Sequence, residues 1–316
     1  MKIIFFGIPD LGAICLNSLM LANKNIVAVV PPKTSHPGYE TLCNIANNYN
    51  LKLIPFENSP NEPEFIEKIK QVQADIAVVA AFDNLLPKEL LETTRLGFLN
   101  CHPSLLPKYR GGNPYFHVIA DGESKTGITL HFMDETFDTG DIVTQWETDI
   151  DQNETFGTLF SRLNFKTAEL LVKTINEIES GTPIKRIKQD KSSIYPKAKG
   201  VVPNSKDVLI DWSKESIEIE RFIRACNPFF GAMTHYRNCP VKIWNCEYST
   251  EKKYNNNPPG TIINISNDQL AISTGNGLIF PTVIQAGMFF TCEIKEFIKR
   301  AAPQKGEQFM PFTNLE

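Results

Sequence analysis

The chain of 316 residues lacks most of the features that would place it outside the cell, in a membrane or on a metal. Its seven cysteines (Cys15, Cys43, Cys101, Cys226, Cys239, Cys246, Cys292) are odd in number, scattered and never spaced C-x-x-C. That argues against a disulfide framework and a thiolate zinc site and leaves most of them as small core residues. The five histidines (His36, His102, His117, His131, His235) form no H-x-x-x-H pair with a nearby glutamate, so no metal is expected. Long apolar runs are missing, and the opening MKIIFFGIPDLGAI has neither a basic region nor a small-residue cleavage site. The expectation is a cytosolic protein with no membrane partner. An excess of positive charge is also absent: net charge is −4 and the pI near 5.8, so no overall field draws nucleic acid to the surface. Repeats do not occur, and the only biased tract is the turn Asn255-Asn256-Asn257.

What is present is 42% hydrophobic content, enough for a substantial core and two domains. In the first half, apolar runs at 3–6, 26–30, 51–55, 74–80 and 97–100 alternate with helical patterns at 9–21, 39–48, 62–72 and 87–94. This alternation with short connections predicts an α/β, Rossmann-like domain over residues 1–190, its mostly parallel sheet covered by helices on both faces. Two further strands, 127–133 and 142–146, flank the loop from Asp134 to Asp141, and an amphipathic helix over 156–179 closes the domain at Gly181. Residues 185–205 hold one glycine, Gly200, and read as a stiff crossover. Beyond it, a helix at 214–226 is followed by short β runs at 233–236, 241–246, 260–265, 270–273 and 278–283. These predict a second domain over 206–316, a small OB-like β-barrel.

Where a buried strand should finish, the chain reads NCHPSLLPKYRGG from Asn100 to Gly112. Side chains two apart on a strand share a face, so Asn100 and His102 project together, and Cys101 is turned away from them. In an open α/β sheet, ligands bind at such carboxyl ends. The loop FDTGD at 137–141 brings Asp138 to the neighbourhood, with Gly140 permitting a tight turn. Histidine, carboxamide and carboxylate suit addition of an amine to a carbonyl. Imidazolium and amide donate to a developing oxyanion, while the carboxylate raises the histidine pKa and helps take the amine's proton. A strand-end histidine is more often structural, and the aspartate of D-T-G-D more often forms a turn, so these residues alone leave both readings open. His117 and His131 read as packing or surface residues.

NCHPSLLPKYRGG resembles the N-x-H-x-S-L-L-P-x-aromatic-R-G signature of formyltransferases that use 10-formyltetrahydrofolate, and Asp138 falls where that family has the aspartate of its D-T-G-D motif. The start IIFFGIPDLGAICLNSL and the strand GITL are similar to the same family. IDWSKESIEIERFIRACNPFFGAMTHY, VKIWN and PPGTI are similar to the carboxyl-terminal domain of methionyl-tRNA and UDP-aminoarabinose formyltransferases. The resemblance implies that His102 polarises the formyl group, that Asn100 assists as an oxyanion donor and that Asp138 holds His102 and manages the proton. It further implies that the folate co-substrate lies along Asn84, Leu85 and Leu86, along Ser104, Leu105, Leu106 and Pro107, and along Asp134, Glu135, Thr136 and Phe137.

The acceptor amine is less directly written. Members acting on tRNA carry an inserted loop rich in Arg, Lys and Gly after the second strand, whereas here VVPPKTSHPGYE is short and holds one lysine. From residue 201 onward, 12 basic residues face 12 acidic ones, without the surplus that phosphate binding calls for. Both features favour the amino group of a nucleotide-linked sugar, with methionyl initiator tRNA as the alternative. Gly112 stands where the aminoarabinose enzyme has arginine, which leaves the particular sugar open, and the sequence leaves the oligomeric state open too.

Overall fold

The computed structural model describes residues 1–190, 193–251, 257–287 and 290–310. The expected turn residues Asn255 and Asn256 lie outside them. Contacts divide the chain into two compact units, each discontinuous in sequence. One comprises Met1–Pro114, Lys125–Thr148 and Ser161–Ala198; the other comprises Tyr115–Ser124, Asp149–Phe160 and Lys199–Glu316.

The first unit begins β1 (Lys2–Gly7), α1 (Leu11–Leu21), β2 (Asn25–Val30), α2 (Tyr39–Asn48), α3 (Pro63–Lys70), β3 (Ile76–Ala80), α4 (Lys88–Leu91) and β4 (Phe98–His102). Along the chain there follow β5 (Arg110–Gly111), α5 (Pro114–Ala120), which belongs to the second unit from Tyr115 on, β6 (Lys125–Phe132), β7 (Ile142–Asp149), α6 (Phe156–Glu179), whose first turn to Phe160 is also in the second unit, and β8 (Lys197–Ala198). Six of the strands form one sheet in the order β2-β1-β3-β4-β6-β7. β1 pairs parallel with β2 and β3, and β3 parallel with β4; β6 joins β4 antiparallel. The strands IAVVA and FLNCH are buried at every position, as burial on both faces requires.

Helix α3 shows how local chemistry sets an element. Pro63 pre-forms its first turn, Glu64 complements the dipole's positive end, and Lys68 and Lys70 its negative end. Its buried Phe65 and Ile69, four apart, pack with Ile4, Phe6, Val79 and Phe98 on one face of the sheet. Each such side chain contributes about 1.5–3 kcal/mol on burial. Along β4 that face continues from Phe98 to Asn100 and His102, so core gives way to polar site within one strand. The other face of β4 carries Cys101, whose thiol meets that of Cys15 on α1.

The strand expected at 51–55 is reduced to a single parallel bridge, Val29 to Leu53. Val29 N–H donates to Lys52 O and Ile54 N–H to Val29 O, and Pro55 has no N–H with which to continue the ladder.

In the second unit, α7 (Ser216–Cys226) is capped by a reciprocal Glu215–Glu218 box. Strands β9 (Ala232–Tyr236), β10 (Cys239–Ser249), β11 (Ile262–Ile265), β12 (Leu270–Ser273), β13 (Leu278–Ala286), β14 (Phe290–Glu293) and β15 (Phe309–Met310), with helix α8 (Ile294–Ala301), complete it. The sheet runs β11-β12-β13-β10-β9-β15, with β14 on β13. Its two ends meet: Thr261 bridges Gln308, Ile262 N–H donates to Glu307 O, and Phe309 N–H to Gly260 O. That contact curls the antiparallel sheet into a small barrel and leaves less exposed edge.

Candidate active site

The site is built within the first unit. Cross-strand register sets Asn100 on β4 opposite His131 on β6, so both side chains stand on the same face. The connection from β6 to β7 folds back over that face and delivers Asp138 in a left-handed backbone conformation, φ 55°. Gly140 is required there, because a Cβ on it would lie 1.8 Å from Phe132 O.

Asp138 is the hub. Its Oδ2 accepts the Gly111 N–H at 2.9 Å and lies 3.5 Å from His102 Nδ1. Its Oδ1 accepts from Asn100 Nδ2 at 3.3 Å and lies 3.4 Å from His131 Nε2. Tyr109 O and Phe132 O can only accept, so His102 Nε2 (2.9 Å) and His131 Nδ1 (3.0 Å) carry the protons they donate there. Asn100 Nδ2 then donates to His131 Nε2 at 3.0 Å. Gly111 itself needs its positive φ of 103° and the absence of a Cβ, which would meet Ala198 O at 2.4 Å.

Burial lowers the His102 pKa, and the His131 ring pushes the same way. The Asp138 charge and the Tyr109 carbonyl raise it without overcoming burial, so the resting imidazole is neutral at pH 7 rather than the imidazolium expected from the sequence. For Asp138, burial alone would raise the pKa; the His102 and His131 rings and the Gly111 N–H outweigh it and hold the carboxyl well below the usual range. A charged carboxylate beside a neutral imidazole is the ground state of the site.

Asn100, His102 and Asp138 are thus brought together. The residues expected along the folate divide into two groups. Leu85 and Phe137 are exposed, and Leu105 and Pro107 are half-buried. Leu86 is instead packed in the core with Phe98, and Ser104 is fully buried, its hydroxyl donating to Lys108 O at 2.7 Å. Asn84 Nδ2 donates to Asp83. Asp134 organises its own loop: Oδ1 accepts from Thr136 N–H and from the Thr136 and Thr139 hydroxyls, while Glu135 stays exposed. Among the described residues, no three His, Cys, Asp or Glu side chains cluster as metal ligands, and no helix is long and apolar enough to cross a membrane.

His131, expected as a packing or surface residue, touches both Asn100 and Asp138 and is 1% exposed. The signal that could have found it is the parity of Thr129 and His131 on a strand paired with β4. Gln189 is a second site residue that sequence reasoning missed. Its Nε2 donates to Asp138 O at 3.0 Å and Gly140 O at 2.7 Å.

Residues 1–175 match the Formyl transferase family, and residues 204–302 match the Formyl transferase, C-terminal domain family. The chain belongs to the formyltransferases and is an N-formyltransferase enzyme. It is 34% identical over 307 residues to the methionyl-tRNA formyltransferase of Clostridioides difficile, covering 95% of this chain and 96% of that one. Among solved structures, it is similar to the Helicobacter canadensis N-formyltransferase in complex with folinic acid and dTDP-3-aminofucose (TM-score 0.66, 22% identity, 90% of this chain and 99% of that one). A sugar 3N-formyltransferase solved with dTDP and 5-N-formyl-THF is comparable (TM-score 0.62, 22% identity, 92% and 98% covered). At such identities the likeness establishes the fold alone.

Proposed function

We propose that this enzyme moves the formyl group of 10-formyltetrahydrofolate onto the amino group of methionyl initiator tRNA in the cytosol, with Asn100, His102 and Asp138 at the reacting centre. The observation that carries the acceptor is the crossover at 185–205, which holds six basic residues against one acidic. Lys185, Arg186, Lys188 and Lys197 are exposed, and their segment is stitched to the site: Ile187 bridges Ile142, Tyr109 N–H donates to Pro196 O, and β5 pairs parallel with β8. A basic strip beside the reacting centre suits a polyanionic acceptor, and the 34% identity to a methionyl-tRNA formyltransferase supports the same acceptor. Net charge counted from residue 201 onward overlooks this strip, because most of it precedes that residue.

When bound, the folate supplies an electrophilic formyl carbon on a nitrogen leaving group. His102 Nε2–H exchanges from Tyr109 O to the formyl oxygen as charge develops there, and Asn100 stands beside it on the same strand face. Asp138, held ionised at a low pKa, is a weak base. It contributes by placing negative charge where the attacking nitrogen becomes positive. The apolar Leu85, Leu105 and Phe137 exclude water from the transferred group.

A nucleotide-linked amino sugar is the second reading, favoured by the compact loop after β2. That loop holds Lys33 as its one lysine before Glu40 and packs on Pro9, 2.9 Å from where a Gly38 Cβ would stand. Formyl transfer to methionyl initiator tRNA and to a panel of amino-sugar nucleotides, each across a salt series, tests the choice. The tRNA reading expects efficient transfer whose log affinity falls by about 0.7–0.9 per phosphate contact with log salt. Transfer to a sugar nucleotide alone, with a shallow salt dependence, overturns it.

A further inference from the structure

Within the exposed run 185–190, one side chain is buried: Gln189, 7% exposed, between Lys188 and Asp190, which face solvent. All of its hydrogen-bonding capacity is directed at the site. Besides the two bonds from Nε2 to Asp138 O and Gly140 O, its Oε1 accepts from Arg110 Nε at 3.1 Å and Arg110 Nη2 at 2.6 Å. Arg110 Nη2 also reaches Asp190 O at 3.4 Å. The amide is therefore fixed in one orientation, because a flipped carboxamide would set oxygen against two carbonyls and NH2 against a guanidinium.

The loop so held is a strained one. Asp138 occupies left-handed backbone space that a non-glycine residue enters at a cost, and such conformations persist where surrounding contacts over-determine them. Gln189 supplies two such contacts on the main chain of the loop, and Gly111 N–H and Asn100 Nδ2 donate to the carboxylate. Arg110 and Gly111 are consecutive, so the residue that locks Gln189 neighbours the residue that receives Asp138.

We infer that Gln189, locked by Arg110, is a positioning residue that holds Asp138 in its catalytic conformation and so couples the basic crossover to the reacting centre. This rests on the reading of Asp138 as the catalytic carboxylate, and not on which amine is the acceptor. The coupling acts through the main chain of the loop, so its loss misplaces Asp138 without removing it.

The test is steady-state formyl transfer by the full chain to whichever acceptor the wild type uses, comparing Gln189→Ala, Gln189→Glu and Arg110→Lys, each alone and combined with Asp138→Asn. Gln189→Glu keeps size and an acceptor for Arg110 but gives up both N–H donors. The expected result is a fall in kcat of about 10–100-fold for both Gln189 variants, and a smaller fall for Arg110→Lys, with KM for the acceptor little changed. In the Asp138→Asn background, the same substitutions should lower kcat by less than about 3-fold further, because a residue that acts through Asp138 has nothing left to position. Equal losses in both backgrounds, or wild-type kcat in Gln189→Glu and Arg110→Lys, overturn the positioning role alone. Undiminished turnover in Asp138→Asn by itself overturns the reading of Asp138 and this inference with it. Should Gln189→Ala not fold, Arg110→Lys carries the same comparison.

Discussion

Each unit of the protein gathers ionisable side chains around one carboxylate, and the two gatherings differ in kind. Glu307, in the barrel unit, accepts from Arg237 Nε and Nη2 at 2.8 and 2.9 Å, from Gln304 N–H at 2.7 Å and from the Tyr236 hydroxyl. The Arg237 guanidinium, then the Tyr236 hydroxyl, pull its pKa down to about 2. Charge meets charge at a partly exposed surface, and the result pins β15 and α8: Arg237 also donates to Ala301 O and Ala302 O. Asp138 instead meets imidazoles, an amide and a backbone N–H in a buried setting, where a neutral His102 leaves its charge uncompensated. A structural clasp satisfies its charge, whereas a reaction centre keeps a charge whose full compensation waits for substrate.

The widest separation between the two clusters is in turnover. His102→Ala and Asp138→Asn are each expected to lower kcat by about 10²–10⁴-fold with the fold intact, read by steady-state kinetics beside circular dichroism. Wild-type turnover in either variant would erase the distinction. Next in size is Gly140→Ala, which forces the Asp138 loop away from Phe132 O; a loss of about 10–100-fold in kcat is expected, and none if the loop geometry is immaterial.

pH separates the clusters by sign and window. The folded His102 pKa lies below that of the unfolded chain, so His102's contribution to stability is complete above about pH 6.5. It declines as pH falls further, because the unfolded chain takes up the proton first. Glu307 contributes fully above about pH 4.5, and its contribution is lost only as pH falls toward 2. Thermal midpoints followed from pH 7 to 3 should therefore fall first through His102 and His235, both lowered by burial, and His102→Asn should reduce that early decline while Glu307→Gln leaves it. The smallest effect belongs to the clasp: Glu307→Gln should shift the midpoint at pH 7 by less than about 3 °C and leave kcat unchanged. A large fall in kcat there would show that the clasp is not merely structural.

Periodicity and composition made much of the fold legible. α2, α6 and β12 coincide with the expected residues, because their apolar spacing or clean flanking breakers leave one solution. The strand at 51–55 shrank to one bridge because Pro55 ends the ladder. β14 and β15 went unread because four and two residues are too few to show alternation. In the site, Asn100 and His102 were legible from period-2 geometry and Asp138 from its motif. His131 and Gln189 were not, since their roles depend on which strand lies beside β4 and where the crossover is pinned.

The amino-acid sequence by itself therefore determined most of the element types through local spacing, and the family and the three polar residues through the resemblance of their motifs. Tertiary structure alone decided that His102 rests neutral, that Asp138 stays charged in strained backbone, and that Gln189 reaches it across 51 residues of chain. The physical reason is that desolvation and hydrogen-bond partnership belong to three-dimensional surroundings, and no pattern along the chain encodes how deeply a group is buried or what faces it.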